Sequence, residues 1–124
     1  MLKESRGYNY QKKLQEAIKN VKKSGYEDIK ASIDPYETPK AIVSQSSDLA
    51  FVPDLTAKRK GAKAYFEISK RGDDPEQVGS KWRLLSMMAN MKKGVFKIFV
   101  PYGSMPFTQR VVNQYNIEAE LVKI

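Results

Sequence analysis

The sequence contains no cysteine and no histidine. Without cysteine it has no disulfides and no thiolate metal sites, which is typical of a cytoplasmic protein. Without histidine it has no Ser-His or Cys-His catalysis, no histidine metal ligands and no histidine general base. Any enzyme activity must therefore use Asp, Glu, Lys, Tyr, Ser or Thr, and hard oxygen ligands favour Mg²⁺ or Mn²⁺ over zinc.

Long apolar runs are also missing. No stretch approaches the roughly 18 residues that a membrane-spanning helix requires, so we expect no membrane segment. The N-terminus, from Met1 to Tyr8, has no apolar core of a secretory signal. The chain has 124 residues, of which 41% are hydrophobic and 29% charged. This length and composition predict a single domain over 1–124 that buries a real core.

Positive charge is in excess. The chain has 22 basic and 14 acidic residues and a net charge of +8, which suits a polyanionic partner such as DNA. The stretch 81–97 contains five cations and no acid, and four more cations surround Gly61, namely Lys58, Arg59, Lys60 and Lys63. We interpret Lys58, Arg59, Lys60 and Arg83 as candidate nucleic-acid contacts. A solvated turn and a solvated helix face are equally good explanations of these clusters.

Apolar periodicity predicts the order of the elements. Helices are predicted over 8–23, 75–92 and 105–115, the second of them capped by Asp74 with Pro75 at its first position. Strands are predicted over 28–33, 41–43, 95–100 and 119–124. The segment 50–70 is predicted as a hairpin of two strands around Gly61, and 44–48 as a loop.

This order predicts an α/β fold with a mixed sheet and helices on its faces. The first strands form an antiparallel meander. The closing strand-helix-strand unit should be a right-handed parallel crossover. The strand 95–100 is almost continuously apolar, which is typical of a central strand.

Asp54 and Glu67 place one carboxylate on each strand of the predicted hairpin. Two acids on neighbouring strands of a basic chain could share a divalent cation, which indicates metal-dependent cleavage of a polyanion. Glu67 lies between Phe66 and Ile68, where an unpaired acid would be costly. Its partner could be a metal, Lys81 or another polar group, and Asp54 could instead be a strand-end acid paired with a lysine.

The sequence Pro53-Asp54, followed after twelve residues by Glu67-Ile68-Ser69, resembles the motif of the PD-(D/E)xK nuclease superfamily. The resemblance extends to the order of elements over nearly the whole chain. It implies the restriction-endonuclease-like fold, and the size is similar to that of small archaeal Holliday-junction resolvases. It also implies that Asp54 and Glu67 bind Mg²⁺ or Mn²⁺, that phosphodiester bonds in DNA are hydrolysed, and that the protein forms a homodimer.

Ser69 occupies the position of the motif's lysine, which helps to activate the attacking water in that family. Glu67 and Ser69 share one strand face and Lys70 faces the other way, so only a bulge would return Lys70 to the acids. Lys81 lies at the edge of the apolar stripe of the second predicted helix, where a long stem could carry its ammonium to the sheet. Gln77, one turn earlier, is the next candidate, and a surface cation is the alternative for Lys81.

Three functions are compatible with these observations. The first is a Mg²⁺-dependent nuclease that acts on DNA. The second is a catalytically degenerate nucleic-acid-binding module on the same fold. The third is an interaction domain whose basic charge serves solubility alone. Metal binding, nucleic-acid affinity and cleavage distinguish the three.

Overall fold

The computed structural model describes residues 9–44 and 49–124. The described helices are α1 (Tyr10–Lys23), α2 (Pro75–Met91) and α3 (Met105–Gln114). The described strands are β1 (Glu27–Ala31), β2 (Ile42–Val43), β3 (Ala50–Phe51), β4 (Leu55–Arg59), β5 (Ala62–Ile68), β6 (Val95–Val100) and β7 (Glu120–Lys123). None of these helices is both long enough and apolar enough to cross a membrane. The start of the predicted first helix at Tyr8 and most of the predicted loop 44–48 lie outside the described residues.

Five strands form one mixed sheet in the order β1-β4-β5-β6-β7. The pairs β1·β4 and β4·β5 are antiparallel, and the pairs β5·β6 and β6·β7 are parallel. The predicted α/β architecture with a mixed sheet is confirmed. Helices α2 and α3 each connect two parallel neighbours, so the chain contains one more parallel unit than the sequence predicted.

The first strand of the predicted hairpin is divided in two. Strand β3 ends at Phe51 and β4 begins at Leu55, with Pro53 between them. Proline has no N–H for a ladder hydrogen bond, which explains the interruption. Strand β3 pairs with β2 in a separate two-stranded sheet, so the predicted strand 41–43 lies outside the main sheet.

Side chains of β5 alternate between two hydrophobic cores. Phe66 and Ile68 pack in the core beneath α1, together with the predicted apolar stripe of that helix. Tyr65 packs in the core beneath α2 and α3, together with Trp82 and Leu85. The intervening position Glu67 therefore belongs to the side of the sheet covered by α2, which we call the α2 face.

Helix α2 has a capped N-terminus and, near its start, a close contact with the residue that follows α3. Asp74 caps it by accepting a hydrogen bond from the backbone N–H of Glu76, and Pro75 is its first residue, as predicted. At Gly79, an added Cβ would lie only 2.6 Å from a ring carbon of Tyr115. Glycine therefore permits the close approach of this turn of α2 to the residue that follows α3.

Candidate active site

The structure brings the two predicted acids together at one end of the β4–β5 hairpin. Asp54 directly precedes β4, and Glu67 lies near the end of β5. The backbone N–H of Asp54 donates to Glu67 Oε2 at 2.8 Å. The backbone N–H of Ile68 donates to Asp54 Oδ2 at 2.8 Å. Glu67 thus accepts from the backbone of Asp54, and Asp54 accepts from the backbone of the residue after Glu67. These two hydrogen bonds fix the separation of the two carboxylates.

Tyr10 adds a contact from α1. Its hydroxyl donates to Asp54 Oδ1 at 2.6 Å. The apolar periodicity of the first helix includes Tyr10 only as a core residue, and its ring does pack against the core beneath α1. Its role at Asp54 escaped sequence reasoning, because no local pattern pairs residues that lie 44 positions apart.

Glu67 is buried and receives its other donors from α2. The indole N–H of Trp82 donates to Glu67 Oε1 at 3.2 Å. The Lys81 ammonium lies 3.1 Å from Glu67 Oε2, and its side chain is 23% exposed. The structure therefore places Lys81 beside the acids, and Trp82 is a further site residue that was predicted only as part of the apolar stripe.

The environment of Glu67 opposes its ionisation in the metal-free protein. Burial, and then the neighbouring Asp54 charge, raise the pKa of Glu67 to about 8. The Lys81 charge and the hydrogen bonds from Asp54 and Lys81 lower this pKa but do not outweigh burial. Two carboxylates held close together with little solvent favour a divalent cation, which stabilises both charged forms.

A cleft of about 310 Å³ opens beside these groups. Its lining consists of Tyr10, Asp54, Glu67, Ile68, Lys70, Asp73, Val78, Lys81 and Trp82. Lys70 lines the cleft, and strand alternation does not fix its direction, because β5 ends at Ile68. Both Lys70 and Lys81 therefore line the same cleft as the two acids.

Asp73 is a third carboxyl group in this lining. It lies in the loop before α2 and was not singled out in the sequence. Burial, with a smaller contribution from the Asp54 charge, raises its pKa, while Lys70 and Lys81 lower it. Within residues 9–44 and 49–124, no three acid, histidine or cysteine side chains are grouped to hold a metal ion. The candidate ligands are therefore the pair Asp54 and Glu67.

Two predicted site residues lie outside the cleft. Ser69 is fully buried, and its hydroxyl lies 2.6 Å from the hydroxyl of Thr108 on α3. Its strand-face assignment was right, but that face is covered by α3 at this point. Gln77 is exposed, and Val78 forms the cleft wall at that turn of α2. Neither residue can supply the missing lysine's contact in this arrangement.

Three of the predicted nucleic-acid contacts lie at the far end of the hairpin. Lys58 and Arg59 end β4, and Lys60 forms the turn. Six residues of extended chain separate Asp54 from Lys60, about 20 Å. Lys58 also forms an ion pair with Asp28 at 3.8 Å. The interaction of the three basic residues with nucleic acid stays a prediction, and these residues do not surround Asp54 and Glu67.

Arg59 has further contacts within the chain, and the fourth predicted contact, Arg83, lies on α2. Arg59 donates to the carbonyl oxygen of Ser24 at 2.9 Å and lies over the ring of Tyr26, 4.4 Å from its centre. Arg83 is exposed two residues after Lys81, and residues at that spacing do not share a helix face. Arg83 thus points away from the cleft that Lys81 lines.

Comparison of the sequence with models of known protein families and with curated proteins gives no match.

The residues at the cleft fit a hard divalent cation. Mg²⁺ is commonly held by one or two carboxylates and keeps several of its waters. Asp54 and Glu67 supply two carboxylates, and the open cleft beside them gives access to water. The raised pKa of Glu67 reflects, in part, repulsion from Asp54 that a cation would relieve. The chemistry of the donor set therefore matches Mg²⁺ or Mn²⁺.

Proposed function

We propose that this protein is a Mg²⁺- or Mn²⁺-dependent nuclease that hydrolyses phosphodiester bonds in DNA. The observation that carries the proposal is the position of Lys81, whose ammonium lies 3.1 Å from Glu67 Oε2. The nuclease motif combines two acids with one cation, and Ser69 leaves the usual position of that cation without charge. Lys81 supplies a cation to the same pair of acids from α2.

The sheet topology supports a restriction-endonuclease-like fold. The acids lie on an antiparallel hairpin, and β5 then pairs in parallel with β6 through the crossover helix α2. This combination is the one that the resemblance implies. The same topology also explains how Lys81 on α2 can take the role of a lysine at the end of β5, because α2 packs directly over β5 in the core that contains Trp82.

Each cleft residue has a chemical role in this proposal. Asp54 and Glu67 would hold the metal ion, which when bound polarises the phosphate and lowers the pKa of its water. Lys81 stabilises the negative charge that develops on the phosphoryl oxygens. The water oxygen adds to phosphorus and the water gives up one proton, while one ester P–O bond breaks and the leaving oxygen takes up a proton. Tyr10 and Trp82 are positioning residues, because each acts through a carboxylate.

The second candidate function is binding of nucleic acid without cleavage. It is favoured by the same contact, because Lys81 partly neutralises Glu67 within the chain. Hydrogen bonds from Trp82 and from the Asp54 backbone further satisfy that carboxylate. Acids that are satisfied in this way can persist as structural groups after catalysis is lost.

A cleavage assay distinguishes the two functions. Branched, duplex and single-stranded DNA are incubated with Mg²⁺ or Mn²⁺ and with wild type or the variant Asp54→Ala/Glu67→Ala. We expect metal-dependent cleavage that the double change abolishes. Affinity for DNA without any cleavage supports the binding module, and the absence of both leaves only an interaction domain.

Lys81→Met tests the lysine directly, since methionine preserves an apolar stem without charge. We expect the cleavage rate to fall on the order of 10²-fold or more, as for loss of one transition-state donor. The matched control is Lys23→Met, at an exposed position of α1 outside the cleft lining, which should change the rate only a few-fold. Equal rates for Lys81→Met and wild type would contradict the assigned role.

Cutting both strands of a duplex takes two active sites, so we propose a homodimer as the active form. Sedimentation of the protein with and without duplex DNA tests this part. A monomer at all concentrations that still makes double-strand breaks would contradict it.

A further inference from the structure

A second recess lies on the α2 face, at the end of β5 opposite to the acids. It has a volume of about 210 Å³. Four lysines line it, namely Lys30, Lys40, Lys58 and Lys63, with Asp28 and Thr56. We call these four residues the lysine recess. Lys30 and Lys40 belong to no cluster that the sequence reveals, because they are distant along the chain from the hairpin.

Strand pairing assembles the lysine recess. Lys58 on β4 lies directly opposite Lys63 on β5. Lys30 on β1 pairs with Thr56, the residue two positions before Lys58 on the same face of β4. Directly opposed like charges destabilise a sheet. The fold thus retains a repulsive arrangement at this position, which an anion would relieve.

Acidic neighbours compensate little of this charge. Lys58 pairs with Asp28 at 3.8 Å, with both side chains 53% exposed. Lys30 pairs at 3.9 Å with Glu37, which is 83% exposed. Such long, solvated pairs contribute little. Among the residues that the structure describes, no carboxylate lies within 4.0 Å of the Lys40 or Lys63 ammonium.

Lys63 is a half-buried member of the recess, and the Asp28 charge offsets only part of the effect of burial and of its cationic neighbours. Burial, followed by the charges of Lys92, Lys30 and Lys58, lowers its pKa. Gly94 brings the end of α2 here, because an added Cβ would lie 1.9 Å from the Lys63 carbonyl oxygen. The close passage of the backbone at Gly94 therefore holds Lys92 near a group that is already surrounded by cations.

We propose that the lysine recess binds a phosphate group. Several ammonium groups around a small concavity suit a compact, multiply charged oxyanion, since each acts as a point charge with rotatable donors. The recess is smaller than the roughly 300–1,000 Å³ typical of sites for whole small molecules, which favours a single phosphate. The proposal does not require cleavage in the acidic cleft.

The phosphate could belong to a nucleic-acid backbone or be a free anion. A net charge of +8 favours the polymer. Lys63 and Glu67 are four residues apart on β5, about 13 Å. One polymer could therefore contact both the recess and the acidic cleft, whereas pyrophosphate could occupy only the recess.

The test measures binding in EDTA, so that it is independent of cleavage. A fluorescent 20-nucleotide single strand is titrated at several salt concentrations against wild type and Lys40→Gln/Lys63→Gln. Loss of one neutralised phosphate should reduce the slope of log affinity against log salt by about 0.7, or roughly 5-fold in affinity at 0.1 M salt. The control Lys19→Gln/Lys23→Gln removes the same charge from exposed positions of α1 and should change affinity only two- to threefold.

Two further variants separate loss of binding from loss of folding. Lys63→Arg keeps the charge and should restore most of the affinity, and Lys40→Gln alters only an exposed side chain. In parallel, pyrophosphate is titrated into ¹⁵N-labelled protein while the amide signals of residues 30, 58 and 63 are followed.

Each outcome decides the proposal. Weaker strand binding in the lysine variants, together with shifts at the recess, supports a phosphate site used by a nucleic-acid backbone. Recess shifts with unchanged strand affinity support a site for free phosphate. Unchanged strand affinity and no shifts overturn the proposal, and cleavage by the same variants at the wild-type rate would leave the proposed nuclease intact.

Discussion

The burial of Glu67 predicts how stability depends on pH. The pKa of this carboxyl rises from 4.5 to about 8 on folding, because of burial and then of the Asp54 charge. Between these values the folded protein holds a proton that the unfolded chain has released. The free energy of unfolding in EDTA should therefore fall as pH rises from 4.5 to 8, by about 1.4 kcal/mol per pH unit at most.

Over this whole pH interval, the free energy of unfolding should fall by at most about 5 kcal/mol. This bound is the sum of about 1.4 kcal/mol for each pH unit. Lys81, 3.1 Å away, already lowers the pKa and is included in that balance. Half of this bound would still be a large share of the free energy of unfolding of a whole domain, which is typically about 5–15 kcal/mol. The effect is thus large enough for equilibrium denaturation to resolve.

The assay is urea denaturation of wild type and Glu67→Gln at several pH values between 5 and 8. Glutamine does not titrate, so the variant should show a flatter dependence. It also places an amide N–H₂ against one of the two donors, either the Asp54 N–H or the Trp82 N–H, which lowers its stability by a pH-independent amount. Only the difference in slope is therefore diagnostic, because groups that do not interact with Glu67 contribute equally to both proteins. Parallel curves would refute the argument that burial controls this carboxyl.

Three other predictions follow from the site. Tyr10→Phe removes the donor to Asp54 Oδ1 and should lower the free energy of unfolding by about 1–3 kcal/mol in urea denaturation; an unchanged midpoint would contradict the contact. Mg²⁺ at 100 times its dissociation constant should stabilise wild type by about 2.7 kcal/mol at pH 8, but not Asp54→Ala/Glu67→Ala. Equal thermal shifts in both proteins would place the metal elsewhere. Ser69→Lys, which restores the motif letter, should destabilise the protein by several kcal/mol, because position 69 is fully buried; a wild-type melting temperature would contradict this.

Most of the fold follows from local patterns in the sequence. The apolar face of α1, the Asp74 cap of α2 and the continuous apolar run of β6 were each sufficient to place an element. The separate β2–β3 pair did not follow, because two-residue strands carry no periodicity. The place of Lys70 also depends on where β5 ends, and strand ends are poorly specified by sequence.

Site residues could be predicted only where the neighbouring sequence makes the chemical type of the residue unusual. Asp54 and Glu67 were found because the predicted hairpin places one acid on each of two neighbouring strands, and Glu67 also because an acid in an apolar strand is costly without a partner. Lys81 was found because a lysine at the edge of a buried stripe can extend toward the sheet. Tyr10 and Trp82 were seen only as apolar residues, since their hydroxyl and indole groups acquire partners through tertiary packing.

For the proposed nuclease, the contacts of Ser69 account for a cation on α2 rather than on β5. The Ser69 side chain is enclosed against Thr108 on α3, so an ammonium at that position would be buried without solvent. Lys81 approaches Glu67 from the cleft side and keeps a partly exposed stem, which lowers the cost of its charge. Packing of α3 against the end of β5 and the position of Lys81 on α2 are therefore compatible with each other under the proposed function. Lysine at position 69 should not take over the proposed role of Lys81 as long as that packing remains.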